Sequence, residues 1–131
     1  MTLGEYTFDV SRVYRVVDGD TFDLRVERDL VPSPGFGFGI RAYHDARFRL
    51  VGPAGAWTDA IERNQPQGSE AMEQSRWWLE RVAATYDLRG RTYKPAGMMP
   101  DGQFGRWLID LYDTRTGQHL SDYLASMGLT K

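Results

Sequence analysis

Alternating apolar and polar positions predict a β-hairpin near the start of the chain. Between residues 21 and 26, Phe22, Leu24 and Val26 fall on one side and the polar residues between them fall on the other. That period of two is typical of a half-buried strand. Residues 13–17 precede it as a second strand. Asp18-Gly19 is a favoured two-residue hairpin turn, so Asp20 is predicted where the second strand leaves the turn.

The remaining pattern predicts a small barrel closed by helices. Residues 47–51 form a third strand in which Phe48 and Leu50 face the core and Arg47 and Arg49 face outward. Further strands are predicted at residues 88–93 and 104–112, with a long helix over residues 69–86 and a short closing helix over residues 120–127 that ends at Gly128. Five short strands with a helix after the third predict an α+β fold, a five-stranded OB-type Greek-key β-barrel.

Composition limits the class of protein. The 131 residues suit a single domain over residues 1–131, and the lack of cysteine excludes disulfides and thiolate metal sites. Residues 1–9 include acids and no apolar run, so neither a secretory signal nor a membrane span is expected, and the expected location is the cytoplasm.

The net charge of −2 disfavours nucleic-acid binding by overall charge. Binding would therefore depend on a local basic patch. The candidate residues are Arg41, Arg47, Arg49, Arg89, Arg91, Lys94 and Arg106.

Five charged residues match what phosphodiester cleavage requires. They are Asp20, Arg49, Asp59, Glu62 and Arg106. The transition state is a dianionic, five-coordinate phosphorus, so a catalyst needs cations on its oxygens, an activated water and a metal ion. Paired carboxylates suit a hard cation such as Ca²⁺, and the arginine fork suits a phosphate because it donates two parallel charge-assisted hydrogen bonds.

The order of these motifs resembles the staphylococcal nuclease-like (thermonuclease) family from Val13 to about the end of the chain. The motif D-G-D-T occupies residues 18–21, R-L-V-G occupies residues 49–52, and D-A-I-E-R-N-Q-P-Q-G-S-E-A occupies residues 59–71. G-R follows at residues 105–106, and L-A-S-M-G-L stands near the end. Each motif alone is weak, but their conserved order within one chain makes the resemblance specific.

Residues 53–58 are an insertion where the family has a single hydrophobic residue. An ungapped comparison would place Ala54 and Trp57 at the positions of the metal carboxylate and the general base, which implies an inactive protein. A gapped comparison restores Asp59 and Glu62 and is preferred, because the long match after Asp59 leads into the helix. The insertion must then bulge outward if Arg49 and Asp59 are to face the same phosphate.

The resemblance implies a Ca²⁺-dependent nuclease that acts on DNA or RNA and leaves 3′-phosphate ends. It implies metal ligands Asp20, Asp59 and the carbonyl of Ala60, a general base Glu62, and phosphate-binding arginines Arg49 and Arg106. Substrate contacts are expected at Arg47, Gln103 and Phe104. The family has a basic residue and a tyrosine before G-R, so Gln103 and Phe104 predict weaker binding and a higher KM.

Two other functions remain open on the sequence. One is an inactive OB module that binds single-stranded nucleic acid or a protein. The other is an assembly or inhibitor protein that would use Phe36 and Phe38 of the turn-rich segment at residues 32–39. His44 and His119, which are far apart in sequence, are expected on the surface without a metal or catalytic role.

Overall fold

A computed structural model describes residues 6–31, 39–56, 58, 60–61, 65–93 and 107–130 of the chain. The strands are β1 (Tyr6–Asp18), β2 (Thr21–Val31), β3 (Ile40–Leu50), β4 (Leu88–Tyr93) and β5 (Trp107–Asp113). The helices are α1 (Gly68–Ala84) and α2 (Leu120–Ser126), with a 3₁₀ turn at Pro53–Gly55. The predicted residues Phe36, Phe38, Gln103 and Phe104 lie outside the described part.

The strands close into a barrel in the order β1-β2-β3-β5-β4. Closure comes from antiparallel pairing of β1 with β4, and β3 pairs with β5 in parallel over a short stretch from Phe48 to Leu50. This confirms the predicted α+β class, with a five-stranded barrel, a main helix after the third strand and a short C-terminal helix.

Strand β1 is much longer than the predicted residues 13–17, and its register with β2 explains why. The pairing shifts between Val10 and Arg12, between Val13 and Arg15, and again between Val16 and Asp18. Each irregularity places an extra residue in one strand, so the period-two pattern is interrupted even though the strand continues. The alternation therefore predicted only a fragment of β1.

The core is formed by the inward faces of the strands and one face of α1. Phe22, Leu24, Phe48 and Leu50 are buried, as the alternation predicted. Adjacent Trp77 and Trp78 point in different directions. Trp78 is fully buried and donates its Nε1 hydrogen to Gln118 Oε1 at 3.0 Å, whereas Trp77 is 48% exposed.

Helix α2 covers the barrel beside α1. Leu120 and Leu124 are fully buried, while Met127 is 47% exposed because it is the C-cap residue of the helix. Gly128 follows with a φ of 70°, the left-handed conformation that commonly ends a helix. Within the described ranges, none of the helices is both long and apolar enough to cross a membrane.

Candidate active site

The turn between β1 and β2 is packed tightly against helix α1. Ser75 Oγ, which is buried on α1, donates a hydrogen bond of 2.8 Å to the carbonyl oxygen of Gly19. A Cβ atom on Gly19 would lie 3.0 Å from the Cβ of Ala71 and 3.1 Å from that of Ala60. A residue with a side chain does not fit there without movement, so Gly19 fixes where the next residue, Asp20, stands.

Asp20 and Arg49 form a mostly buried ion pair at this turn. Arg49 Nη1 lies 3.2 Å from Asp20 Oδ2, and the two side chains are 17% and 8% exposed. Their proximity follows from strand register, because Thr21 of β2 pairs with Arg49 of β3. A carboxylate and a guanidinium are thus held side by side at one end of the barrel.

Two further donors reach the Asp20 carboxylate. The backbone N–H of Ala60 donates to Oδ2 at 3.2 Å, and the Thr21 hydroxyl donates to Oδ1 at 3.2 Å. Burial raises the pKa of Asp20 above its usual value of 3.8, while Arg49 and the two hydrogen bonds act in the opposite direction. Desolvation is the larger effect, so the folded environment disfavours the ionised form of this carboxylate.

The insertion after Gly52 begins with a compact turn. Gly52 N–H donates to the Ala56 carbonyl at 2.6 Å, so residues 52–56 form a closed loop. Ala54 is exposed and has a left-handed φ of 59°, and Gly55 packs against the Tyr93 ring. Because the loop closes on itself, the chain on either side of it can remain close to the barrel.

The chain returns to the Asp20–Arg49 pair directly after this loop. Arg49 Nη2 donates to the carbonyl oxygen of Thr58 at 3.3 Å, and Ala60 N–H donates to Asp20. Ala60 also forms a bridge with Thr130, and Ile61 N–H donates to the Leu129 carbonyl at 3.1 Å. The backbone at Thr58 and at Ala60–Ile61 is therefore held against the barrel and the C-terminal segment.

The structure brings together part of the predicted site. Asp20, Arg49 and the backbone of Ala60 meet in one place. Arg47 lies two residues before Arg49 on the outward face of β3, where its guanidinium bonds both carboxylate oxygens of Asp23 at 2.8 and 3.2 Å. Other predicted site residues lie outside the described part of the chain: Asp59, Glu62, Gln103, Phe104 and Arg106.

The donor chemistry of this region fits a hard cation. Asp20 is buried, and its Oδ1 accepts a hydrogen bond from the Thr21 hydroxyl. The carbonyl oxygen of Thr58 lies nearby and accepts from Arg49. Such oxygen donors are the ligands that Ca²⁺ prefers. Within the described residues no cluster of three or more acidic or histidine side chains forms a complete metal site.

Most arginines of the expected basic patch are paired with acids. Arg41 contacts Asp9, Glu27 and Asp29, and Arg89 Nε lies 2.7 Å from Asp9 Oδ1. Together with the Arg47–Asp23 pair, these contacts cancel much of the positive charge on the outer face of the barrel. Arg91 is exposed on β4, and the other two candidates, Lys94 and Arg106, are not described.

Sequence reasoning missed two further buried acids on β5, Asp110 and Asp113. Asp110 on β5 is 3% exposed, and its Oδ1 lies 2.8 Å from Nδ1 of His119, which had been expected as a free surface residue. Burial raises the pKa of Asp110, and the contact with His119 opposes that shift. His44 is exposed, as expected. Asp110 stands between the core residues Ile109 and Leu111, so alternation places it on the other face of β5, and no local pattern indicated that it would be buried.

Neither models of protein families, nor curated proteins, nor solved structures include a match to this chain. The motifs and the geometry around Asp20 are therefore the features that point to a function.

Proposed function

We propose that this protein is a small metal-dependent nuclease that hydrolyses phosphodiester bonds of DNA or RNA and leaves 3′-phosphate ends. The observation that carries the proposal is the buried Asp20 carboxylate, which pairs with Arg49 and accepts the backbone N–H of Ala60. In such a site the guanidinium would stabilise the negative charge that develops on a phosphate, and the carboxylate would help to hold a cation.

The fold supports the resemblance to staphylococcal nuclease-like proteins. A closed barrel in the order β1-β2-β3-β5-β4 is consistent with an OB-type Greek-key barrel, a fold that often binds oligonucleotides. The barrel alone does not indicate a nuclease, because one fold hosts many functions. The order of the motifs in this chain is what supports the proposal of a nuclease.

The contacts of Ala60 favour the gapped comparison. Ala60, rather than a residue of the closed 52–56 loop, meets Asp20, and Ala54 is exposed within that loop. Asp59 is covalently joined to Thr58 and Ala60, whose backbones both contact the Asp20–Arg49 pair. We therefore propose Asp20, Asp59 and the Ala60 carbonyl as ligands of Ca²⁺, which would supply positive charge to the phosphate and to the attacking water.

Side chains would perform the remaining steps of the proposed hydrolysis. Arg49 would release part of its contact with Asp20 to donate to a non-bridging phosphate oxygen, which stabilises the charge that develops there. Glu62 would accept a proton from the attacking water, and Arg106 would donate to the phosphate as the 5′ oxygen departs. Arg47, Gln103 and Phe104 would contact the neighbouring nucleotide.

The direct test incubates purified protein with end-labelled single-stranded DNA and with RNA, in Ca²⁺ and in EDTA. The proposal predicts cleavage in Ca²⁺ only, and products whose mobility changes after treatment with a 3′-phosphatase. The variant Asp20→Asn keeps the shape of the side chain and should abolish cleavage. A matched control is Asp122→Asn, which alters an exposed acid on α2. Cleavage by Asp20→Asn at the wild-type rate would rule out the assigned site.

A second candidate function is an inactive barrel that binds single-stranded nucleic acid or a protein. The observation that favours it is the same ion pair, since Arg49 already bonds the Asp20 carboxylate without any ligand. This candidate predicts a gel shift with single-stranded DNA or RNA and no cleavage in Ca²⁺. A protein that only reuses the barrel for assembly would show neither a shift nor cleavage.

A further inference from the structure

Strand β1 turns a valine toward the core at every third residue instead of every second. These valines are Val10, Val13 and Val16, and each pairs with an apolar core residue of β2. The register shifts after each valine, because each interval holds one residue more than a regular strand has. The intervening residues, Ser11-Arg12 and Tyr14-Arg15, are all exposed. Strand β1 therefore presents two side chains to solvent for each one that it turns to the core.

This arrangement places two arginines on the outer face of the barrel. Arg12 lies opposite Arg25 of β2, and Arg15 lies opposite Asp23. Among the residues that the structure describes, none forms a hydrogen bond or a salt bridge with the guanidinium of Arg12 or of Arg15. The hydrogen bond from Arg47 lowers the pKa of Asp23, and the nearby charge of Arg15 adds to that effect. Neither Arg12 nor Arg15 belongs to the basic patch expected from the sequence.

Two neighbouring rows of side chains across β1, β2 and β3 carry an excess of positive charge. The strand register defines these rows as Arg15–Asp23–Arg47 and Arg12–Arg25–Asp45. We call the six residues the arginine face. One arginine bonds the aspartate of each row, which leaves the charges of Arg12 and Arg15 in excess. Arg49 lies two residues, or about 7 Å, along β3 from Arg47, so the arginine face borders the Asp20 site.

At the opposite end of the same outer face, the arginine charges are compensated. There Arg41 and Arg89 are bonded to three carboxylates. The excess arginine charge therefore lies at the end nearer Asp20. A polyanion that approaches this side of the barrel is attracted to that end.

Tyr14 stands between the two unpaired arginines on β1. Its ring is 46% exposed, and its hydroxyl donates to Asp45 at 3.1 Å, which fixes the ring beside the arginine face. The ring lines a shallow depression of about 470 Å³ whose other walls include Ala46 and Arg47. Proteins that bind single strands combine cations along the nucleic-acid backbone with aromatic rings on which bases stack. Bases in a duplex already stack on one another, so this ring suits an unpaired strand.

We propose that the arginine face binds single-stranded nucleic acid and leads it to the Asp20 site; the choice of ligand rests on the nuclease function proposed above. Arg12 and Arg15 donate to backbone phosphates, and a base stacks on Tyr14. The strand then continues past Arg47 toward Arg49. Binding therefore extends several nucleotides beyond the cleaved bond, and a substrate too short to reach Arg12 loses these contacts.

The first test measures binding without cleavage, by fluorescence anisotropy in EDTA with a labelled single strand of about 12 nucleotides. The double variant Arg12→Gln with Arg15→Gln should weaken binding about tenfold. It should also reduce the slope of log K against log salt by about 1.4, since each phosphate contact on a single strand contributes about 0.7. The control Arg76→Gln with Arg115→Gln removes the same charge on α1 and on the turn after β5, and should leave the slope nearly unchanged. Equal losses in the two double variants would overturn the proposal.

The same assay tests the role of the aromatic ring. Tyr14→Ala should weaken binding of the single strand about fivefold or more, whereas Tyr14→Phe keeps the ring and should bind nearly as well as the wild type. A duplex of the same sequence should bind more weakly than the single strand and should be insensitive to Tyr14→Ala. A duplex that binds as tightly as the single strand would contradict the proposed ligand.

The last test separates the arginine face from the nuclease function. In Ca²⁺, the double variant Arg12→Gln with Arg15→Gln should raise KM for the long strand toward that of a strand of about 3 nucleotides, with kcat unchanged. If the wild type cleaves neither strand but the binding results hold, the nuclease function fails and the arginine face stands. If the wild type cleaves both strands with one KM that the double variant leaves unchanged, the arginine face is wrong and the nuclease function stands.

Discussion

Gly19 and Ala71 approach each other so closely that the hairpin turn packs directly against helix α1 without room for a further side chain. A Cβ on Gly19 would lie 3.0 Å from the Cβ of Ala71. The nearby Ser75 hydroxyl bonds the Gly19 carbonyl at 2.8 Å. Since Asp20 follows Gly19 directly, the position of its carboxylate depends on how tightly the turn packs on the helix.

The variant Gly19→Ala should lower the free energy of unfolding by about 1–3 kcal/mol, because an added methyl group overpacks this contact. It should also reduce any Ca²⁺-dependent cleavage by displacing Asp20. Urea unfolding measures the first effect and the cleavage assay the second.

The double variant Gly19→Ala with Ala71→Gly removes the opposing methyl group and provides the control. A glycine within α1 itself costs about 1 kcal/mol. Nonetheless the double variant should be more stable than the sum of the two single changes predicts. The rescue should be partial, because the Cβ of Ala60 remains 3.1 Å away. If the changes in the free energy of unfolding of the two single variants simply add, the contact between Gly19 and Ala71 does not restrict the size of either residue.

The buried carboxylate of Asp20 predicts a distinct pH dependence of stability. Its pKa is raised in the folded protein, mainly by burial, from the usual 3.8. The folded state therefore binds the Asp20 proton more tightly than the unfolded chain does. The stabilisation from this proton is fully present below pH 3.8 and is lost as the pH rises through the higher folded pKa.

Urea unfolding of the wild type and of Asp20→Asn, both in EDTA, tests this dependence across the acidic range. Relative to Asp20→Asn, the free energy of unfolding of the wild type should fall as the pH rises above 3.8 and then become constant. If the free energy of unfolding of the wild type rises over that range relative to Asp20→Asn, the Arg49 contact and not burial dominates the pKa of Asp20.

The two outward arginines of β3 should differ in their effects on kinetics. Arg49→Lys keeps the charge but loses the planar fork, so kcat should fall by about 10²–10³-fold. The free energy of unfolding should fall by only about 1 kcal/mol, because the hydrogen bond to the Thr58 carbonyl is lost. Steady-state cleavage of a short oligonucleotide gives kcat and KM separately.

Arg47→Lys should raise KM with little change in kcat, because Arg47 is proposed to contact only the neighbouring nucleotide. Arg115→Lys, on the exposed turn after β5, is the control for a general arginine-to-lysine effect. An unchanged kcat in Arg49→Lys would remove Arg49 from the proposed mechanism.

The predictable part of this fold is the part that depends on local pattern. Phe22, Leu24, Phe48 and Leu50 were assigned to the core from alternation alone, and all are buried. Helix α1 was located to within a few residues because its apolar positions recur at helical spacing. Strand β1 was largely missed, because its register shifts break the alternation.

The less predictable part depends on contacts between distant segments. Motif order predicted that Asp20 and Arg49 belong to one site, whereas their ion pair with each other was not predicted and follows from strand register. The salt bridge from Arg47 to Asp23 was not anticipated, since cross-strand neighbours become known only when the register is known. The burial of Asp110 likewise depends on where α2 packs, which no local pattern contains.

The Asp110–His119 contact should stabilise the packing of α2 against β5. Asp110 is buried. His119 is the N-cap residue of α2, and its ring lies 5.4 Å from the Tyr112 ring at a tilted angle. His119→Ala removes the partner of a buried acid, which costs about 1–3 kcal/mol. His44→Ala, at the exposed histidine, should change stability by no more than about 0.5 kcal/mol. Urea unfolding distinguishes the two variants, and equal effects would show that the His119 contact contributes nothing beyond a surface residue.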